Sequence, residues 1–197
     1  AGGGGWIGEL RAVLEAHPLA VVGEFGLDKH WVPPGGQLNE IDAQRGVFSA
    51  QLDLAAELGR PACLHCVRAY GELYKMLSDA PRLPPRIYLH SYTGSAEMVQ
   101  SFTGLSARRG EVGGTTVYFG FSHAVNSRSH KTPGMIRAVP DHLVLLESDA
   151  SAGAGVEREL VAMLAAIAGA KGWSLPEAAA ATRRNAEAFF STCEVVA

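Results

Sequence analysis

The sequence predicts an α/β domain of repeated strand-helix units, on three observations. Five short apolar runs recur along the chain, AVVGEF, PACLHC, RIYLHS, TVYFGF and LVLLES. The segments between them carry apolar residues at helical spacing, and that alternation builds a parallel sheet covered by helices. Four of the runs lead to a residue of metal-ligand type, Glu24, His65, His90 and Asp149. In parallel α/β architectures the loops after the strands form the active site, so four such residues there predict a bound divalent metal. Eight such units close a barrel; five are present, so an incomplete one is expected.

The elements follow in order. Trp6, Leu10, Val13 and Leu14 recur at helical spacing up to His17 and Pro18, which predicts an amphipathic helix. Gly2 to Gly5 before it read as a flexible lead, and Ala1 as the first residue points to an amino terminus further upstream. A strand over Ala20–Phe25 follows, and GLDKHWVPPGGQLNEID reads as a long polar loop, of a length that is usually functional or mobile. Gln44–Leu58 carries Phe48, Leu52 and Ala55 on one face, with Gly59 placed to end the helix. Pro61 opens the second strand, and Ala69–Leu77 reads as a shorter helix closed by the Pro-rich linker Pro81–Pro85. After RIYLHS, Ser95 is placed to cap a helix bearing Met98, Val99, Phe102 and Leu105. Gly110, Gly113 and Gly114 make the return turn to a strand over Thr116–Phe121. The polar loop HAVNSRSHKTPG leads to a short helix over Met135–Val139 and a fifth strand over Leu143–Ser148. Val156, Leu160, Leu164 and Ile167 define the next helix, and Ser174 with Glu177 forms a capping box for the last. No break in composition divides the chain, so a single domain over residues 1–197 is expected.

Bulk properties exclude several classes. No apolar stretch approaches the roughly 20 residues a membrane helix needs. The net charge of -3 opposes the basic balance with which proteins grip long nucleic acid by counterion release. A phosphate-bearing substrate therefore needs local cations, which metal ions and a few arginines can provide. Cys63, Cys66 and Cys193 are an odd number in a chain too large to need stapling, so reduced thiols in an intracellular setting, cytoplasmic by default, are expected. Cys63 and Cys66 form a C-x-x-C, yet residues three apart on a strand point to opposite faces and do not readily clamp one metal. Cys63 instead shares the face of His65, as a small buried thiol beneath the site. A G-x-S-x-G elbow, a P-loop and a strand-to-helix G-x-G-x-x-G are absent.

Taken singly, a strand-end Glu or His is most often a hydrogen-bonded loop anchor. Four of them on four strands point to chemistry. Imidazole nitrogen and carboxylate oxygen suit Mg²⁺, Mn²⁺, Zn²⁺ or Ni²⁺ without distinguishing among them, and a mixed set can hold one ion or two bridged by a carboxylate. Such ions stabilise the attacking and leaving oxygens of a phosphodiester displacement, so hydrolysis is the reaction class implied.

The segments GEFGLD around Glu24, LHCVRA around His65, LHSYTGSAEM around His90, VYFGFS, and LLESDA around Asp149 resemble, in order and spacing, the TatD family of metal-dependent deoxyribonucleases. The likeness runs from Trp6 to Phe190, includes the ending NAEAFF, and is nearest to the family's eukaryotic branch. It implies a TIM-barrel-type hydrolase that cleaves DNA phosphodiesters with a metal-activated water. Glu24 would bridge two ions, His65 and His90 would ligate one of them, and Asp149 would bind the other or orient the attacking water, making Glu24 and Asp149 the catalytic pair. The family's first-strand His-x-His has no counterpart in this sequence, and the match begins at what would be the fourth strand. The resemblance therefore implies an amino-terminally truncated domain in which one ion lacks part of its ligand set. ASAGAG also stands where the family usually has a proline and a longer loop.

Around this set, Arg68 reads either as a contact to the scissile phosphate or as a solvated helix-start arginine. Tyr92 reads either as a stacking platform for a base or as packing. Asp28 reads as a group orienting a ligand or as a turn aspartate. His123 and Asn126 read as loop polarity. The acidic balance favours accessible single-stranded DNA ends as the substrate. Two alternatives stand beside the nuclease: a related hydrolase acting on another ester or amide bond, and a catalytically impaired remnant or binding module whose open sheet edges invite pairing.

Overall fold

The computed structural model describes residues 5–36, 40–105, 114–150 and 153–191. The expected turn glycines Gly110 and Gly113, and Cys193, lie outside the described residues. Helix α1 (Gly5–Ala16) leads into β1 (Val22–Asp28), α2 (Ile41–Glu57), β2 (Ala62–Val67), α3 (Tyr70–Asp79), β3 (Arg86–Leu89) and α4 (Ala96–Thr103). Then come β4 (Thr116–Ser122), α5 (His123–Asn126), α6 (Thr132–Ala138), a 3-10 turn (Asp141–Leu143), β5 (Val144–Glu147), α7 (Val156–Lys171) and α8 (Leu175–Phe190).

All five strands are parallel and lie in the order β1-β2-β3-β4-β5. A doubly wound sheet reverses its strand order at a switch point, whereas a barrel winds in one sense, so this is the winding of a barrel. Five strands leave β1 and β5 with one sheet neighbour each among the described residues.

Strand alternation sorts the core. Leu27, Leu64, Ile87, Leu89 and Phe119 are buried beneath the helices, against residues such as Phe48, Leu73, Phe102 and Ile167. Phe25 and Phe48 place their ring centroids 5.5 Å apart and so pin α2 to β1. The other face carries Cys63 and His65 on β2, Tyr88 on β3 and Tyr118 on β4. Its amino-terminal half is covered by Phe189 of α8, fully buried with its ring centroid 5.5 Å from those of both Tyr88 and Tyr118. Arg86 holds the end of α8 through the Ser191 hydroxyl at 2.7 Å and the Ala188 carbonyl at 3.2 Å. The carboxyl-terminal half of the face is left for a site.

Expected caps are formed: Ser95 Oγ accepts from the Met98 N–H, Ser174 and Glu177 form the reciprocal box, and Gly59 stands just past α2 at φ +62°. Two differences from expectation bear on the site. β1 extends to Asp28 rather than ending at Phe25, because GLD pairs with His65, Cys66 and Val67 of β2 despite its polar look. The polar loop after β4 contains α5, which Ser122 caps by accepting from the Val125 N–H.

Replacing Phe189 by alanine removes the ring that closes this face. The expected cost is about 3–5 kcal/mol, the usual range for deleting a buried phenyl, read from urea unfolding. A loss under about 1 kcal/mol would show that α8 does not support the sheet.

Candidate active site

Glu24, His65, His90 and Asp149 converge on one cleft of about 170 Å³ at the carboxyl-terminal end of the sheet. Glu24 Oε1 lies 2.9 Å from His65 Nδ1, Glu24 Oε2 lies 3.9 Å from His90 Nε2, and His90 Nε2 lies 3.0 Å from Asp149 Oδ1. Their positions correct the strand-end expectation for two of the four. Glu24 and His65 lie inside β1 and β2, while His90 and Asp149 follow β3 and β5. Glu24 reaches the cleft because the β1–β2 register shifts between Val22 and Phe25. Gly23 permits that approach, since a Cβ there would fall 2.7 Å from the Cys63 Cβ.

Three loops leave the site end of the sheet through a left-handed non-glycine residue: Arg68 (φ 55°), Ser91 (φ 40°) and Asp149 (φ 54°). Such residues cost about 1–3 kcal/mol each and persist where surrounding contacts fix them. At Ser91 those contacts are to Glu147, whose Oε1 accepts from the Ser91 N–H at 2.5 Å and from its hydroxyl at 2.9 Å.

Glu147 is the functional residue that sequence reasoning passed over. Its Oε2 lies 2.7 Å from His90 Nδ1 and accepts from the Tyr88 hydroxyl. The signal was present as an acidic residue within the apolar run LVLLES, a pattern that rarely survives burial without a partner. Asp28 plays the matching part on the other side. Its Oδ2 lies 3.2 Å from His65 Nε2, and its Oδ1 accepts from the N–H groups of His30 and Trp31 at 2.7 and 3.0 Å. Each histidine thus presents one ring nitrogen to the cleft and the other to an outer carboxylate, the arrangement that orients metal-binding imidazoles.

The same contacts reveal a shortage of positive charge. A neutral imidazole has one N–H, yet both nitrogens of both rings face carboxylate oxygens. Protons are drawn in accordingly. The hydrogen bond to Glu24 raises the His65 pKa above its ordinary 6.5 against the effect of burial, and Asp28 adds to the rise. Burial, with the Asp149 and Glu24 charges nearby, pushes Glu147 up to about 8. The Ser91 N–H pulls the other way, toward the ionised form, and the cost of burying that charge outweighs it. Glu24 is lowered, first by its bond to His65. Burial raises Asp28, but its bonds from His30, His65 and Trp31 outweigh burial and lower it.

A divalent cation fits this donor set. Glu24, His65, His90 and Asp149 would hold such an ion, since carboxylate oxygen and imidazole nitrogen are its ligand types. Among the described residues no three His, Cys, Asp or Glu are already gathered in metal-ligand geometry, so the donors meet as two hydrogen-bonded pairs that a cation would replace. Burial pushes the Cys63 and Cys66 thiols up to about 12, so both are protonated in the metal-free protein.

Of the two expected substrate contacts, Arg68 is exposed on the rim after β2. Tyr92 is a correction. It is 0% exposed, packs edge-on against Tyr70 and Phe119, and donates its hydroxyl to the Ser95 carbonyl, so no base can reach its ring. Trp31, on the loop that Asp28 anchors, is 49% exposed. Asn126 is a buried staple, accepting from the Ser122 N–H and donating to the Tyr92 carbonyl, both at 2.8 Å. A larger cleft of about 420 Å³, beside Asp141, Trp173 and Arg184, opens at the amino-terminal end of β5. That is the wrong end of a parallel sheet for chemistry.

Fold and site together define a barrel-type α/β domain with histidine and carboxylate side chains gathered at the carboxyl-terminal end of its sheet. The chain belongs to the TatD family, matching the family described as TatD related DNase over residues 5–191. It is 27% identical over 224 residues to Cut9-interacting protein scn1 of Schizosaccharomyces pombe, an alignment covering 92% of this chain and 65% of that protein. It is 30% identical over 143 residues to the 3'-5' ssDNA/RNA exonuclease TatD of Enterobacter lignolyticus, covering 72% of this chain and 49% of that protein. The crystal structure of YJJV, a TatD homolog from Escherichia coli K12, superposes with a TM-score of 0.74 at 22% identity, covering 93% of this chain and 69% of that one. The chain thus spans between about half and two thirds of the length of these two curated relatives.

The His65–Glu24 pair makes a testable pH signature in the metal-free protein. With Glu24 lowered from 4.5 and His65 raised from 6.5, the pair stabilises the fold fully between those two values. The contribution disappears as pH rises through the raised His65 midpoint, or falls through the lowered Glu24 midpoint. Histidine NMR titration should place His65 above 6.5, and Glu24→Gln should bring it down. An unchanged midpoint in the variant would remove Glu24 as the cause.

Proposed function

We propose that this site hydrolyses phosphodiester bonds of DNA at accessible single-stranded ends, with one or two divalent ions held by Glu24, His65, His90 and Asp149. The observation that carries the reading is the pair of imidazoles, each with one nitrogen in the cleft and the other on an outer carboxylate, in a site short of positive charge. When bound, a divalent ion supplies polarisation of a phosphoryl oxygen and lowers the pKa of a water.

The chain's own residues do the rest. Glu147 and Asp28 fix the ring planes of His90 and His65. Asp149 Oδ1, on the open side of His90, accepts the proton of an attacking water. Arg68 on the rim takes the phosphate, since guanidinium matches phosphate oxygens bidentately.

A second reading, docking of a partner protein without catalysis, is favoured by the relative named for its interaction with Cut9. A nuclease assay separates the two. The chain is expected to degrade single-stranded DNA with Mn²⁺ or Mg²⁺ and to stop when the ion is chelated. Glu24→Ala should lose more than about 100-fold, beyond the range typical of losing an outer partner. Cleavage without metal, or full activity in the variant, would refute the nuclease reading.

A further inference from the structure

Tyr88 lies on β3 two residues before His90, and alternation puts both on the inner face of the sheet. Its phenol lies against Gly120 of β4, where a Cβ would fall 2.3 Å from the ring Cε2 and 2.6 Å from the hydroxyl oxygen. Only glycine at 120 leaves room for that ring. On one side the ring packs edge-on against Phe189 at 5.5 Å, and on the other edge-on against His90 at 6.1 Å. The hydroxyl donates to Glu147 Oε2, the same oxygen that faces His90 Nδ1 at 2.7 Å.

We propose that Tyr88 is a positioning residue, whose hydroxyl locks the Glu147 carboxylate so that His90 keeps its Nδ1 on Glu147 and presents its Nε2 to the cleft. The inference rests on the proposed role of His90 as a metal donor. Glu147 has two ends to hold. Ser91 secures Oε1 through two hydrogen bonds, and Oε2 is secured by His90 and Tyr88. Without the Tyr88 hydroxyl, Oε2 keeps only the group it is meant to orient, and the ring of His90 loses its fixed reference. Tyr88 is itself fixed from outside the site, by Gly120 beneath its ring and Phe189 at its edge. The chain of contacts therefore runs from α8, through Tyr88 and Glu147, to His90 and Asp149.

Tyr88→Phe deletes the hydroxyl and keeps the ring with its packing. Tyr118→Phe is the control, because Tyr118 packs on the same Phe189 without a hydrogen bond to Glu147 among the described residues. The first measurement is Co²⁺ affinity by visible absorption titration. Tyr88→Phe should bind about 10- to 100-fold more weakly, as is usual for loss of an outer-sphere partner, and Tyr118→Phe should bind like the parent. Equal affinity in Tyr88→Phe overturns the proposal. If the parent chain takes no Co²⁺, the metal reading fails and imidazole NMR of the metal-free protein decides the positioning role. A slowly exchanging proton at the His90 Nδ1–Glu147 contact should be present in the parent and in Tyr118→Phe and lost in Tyr88→Phe. Its retention in Tyr88→Phe overturns the proposal.

Discussion

A neutral imidazole carries one N–H, and His65 and His90 each face carboxylate oxygens on both ring nitrogens. Four carboxylates, Glu24, Asp28, Glu147 and Asp149, therefore surround two rings that together cannot satisfy them without added positive charge. The raised pKa values of His65 and Glu147 express the shortage in protons, and a divalent cation would relieve it. The fold is arranged around keeping those charges together. β1, β2, β3 and β5 each carry or lead into a member of the cluster, and β4 supplies Gly120 and Ser122 beneath it. Below them Phe189 closes the inner face with apolar surface, so the polar groups are confined to one end.

Much of this was legible in the sequence because strand and helix periods leave strong marks. The five apolar runs became the five strands, and the caps at Ser95 and Ser174 formed as their side chains require. Glu24, His65, His90 and Asp149 were found because ligand-type residues beside apolar runs are conspicuous. Polar residues that serve other polar residues were harder to see. Glu147 sits inside a run that reads as core, and its role depends on Ser91 and Tyr88, 56 and 59 residues away. Tyr92, next to His90 in sequence, could be read as a stacking platform or as packing, and the left-handed turn at Ser91 decides for packing by sending it into the core beside Phe119 and Phe121. β1 ran on through GLD because pairing with β2, rather than hydrophobicity, holds a strand whose end is polar.

The sheet's five strands and the coverage of relatives meet at one point. A closed barrel of this type needs eight strands, and the chain spans 65% of the fission-yeast relative and 49% of the Enterobacter exonuclease. β1 and β5 each pair on one side among the described residues. The four cleft donors nevertheless come from these strands and the residues just after them, along with the outer carboxylates that orient the histidines. The site therefore does not depend on closure for these contacts. Closure bears on how deeply the cleft is shielded from water, and thus on the strength of its electrostatics.

The most direct test of a cation-binding centre is anomalous X-ray diffraction from crystals soaked in Mn²⁺. One or two anomalous peaks are expected within bonding distance of Glu24, His65, His90 and Asp149, with the Glu147 and Asp28 contacts to the far ring nitrogens retained. Ordered crystals that show no peak in this cleft at saturating Mn²⁺, or a peak only at other carboxylates, would contradict it.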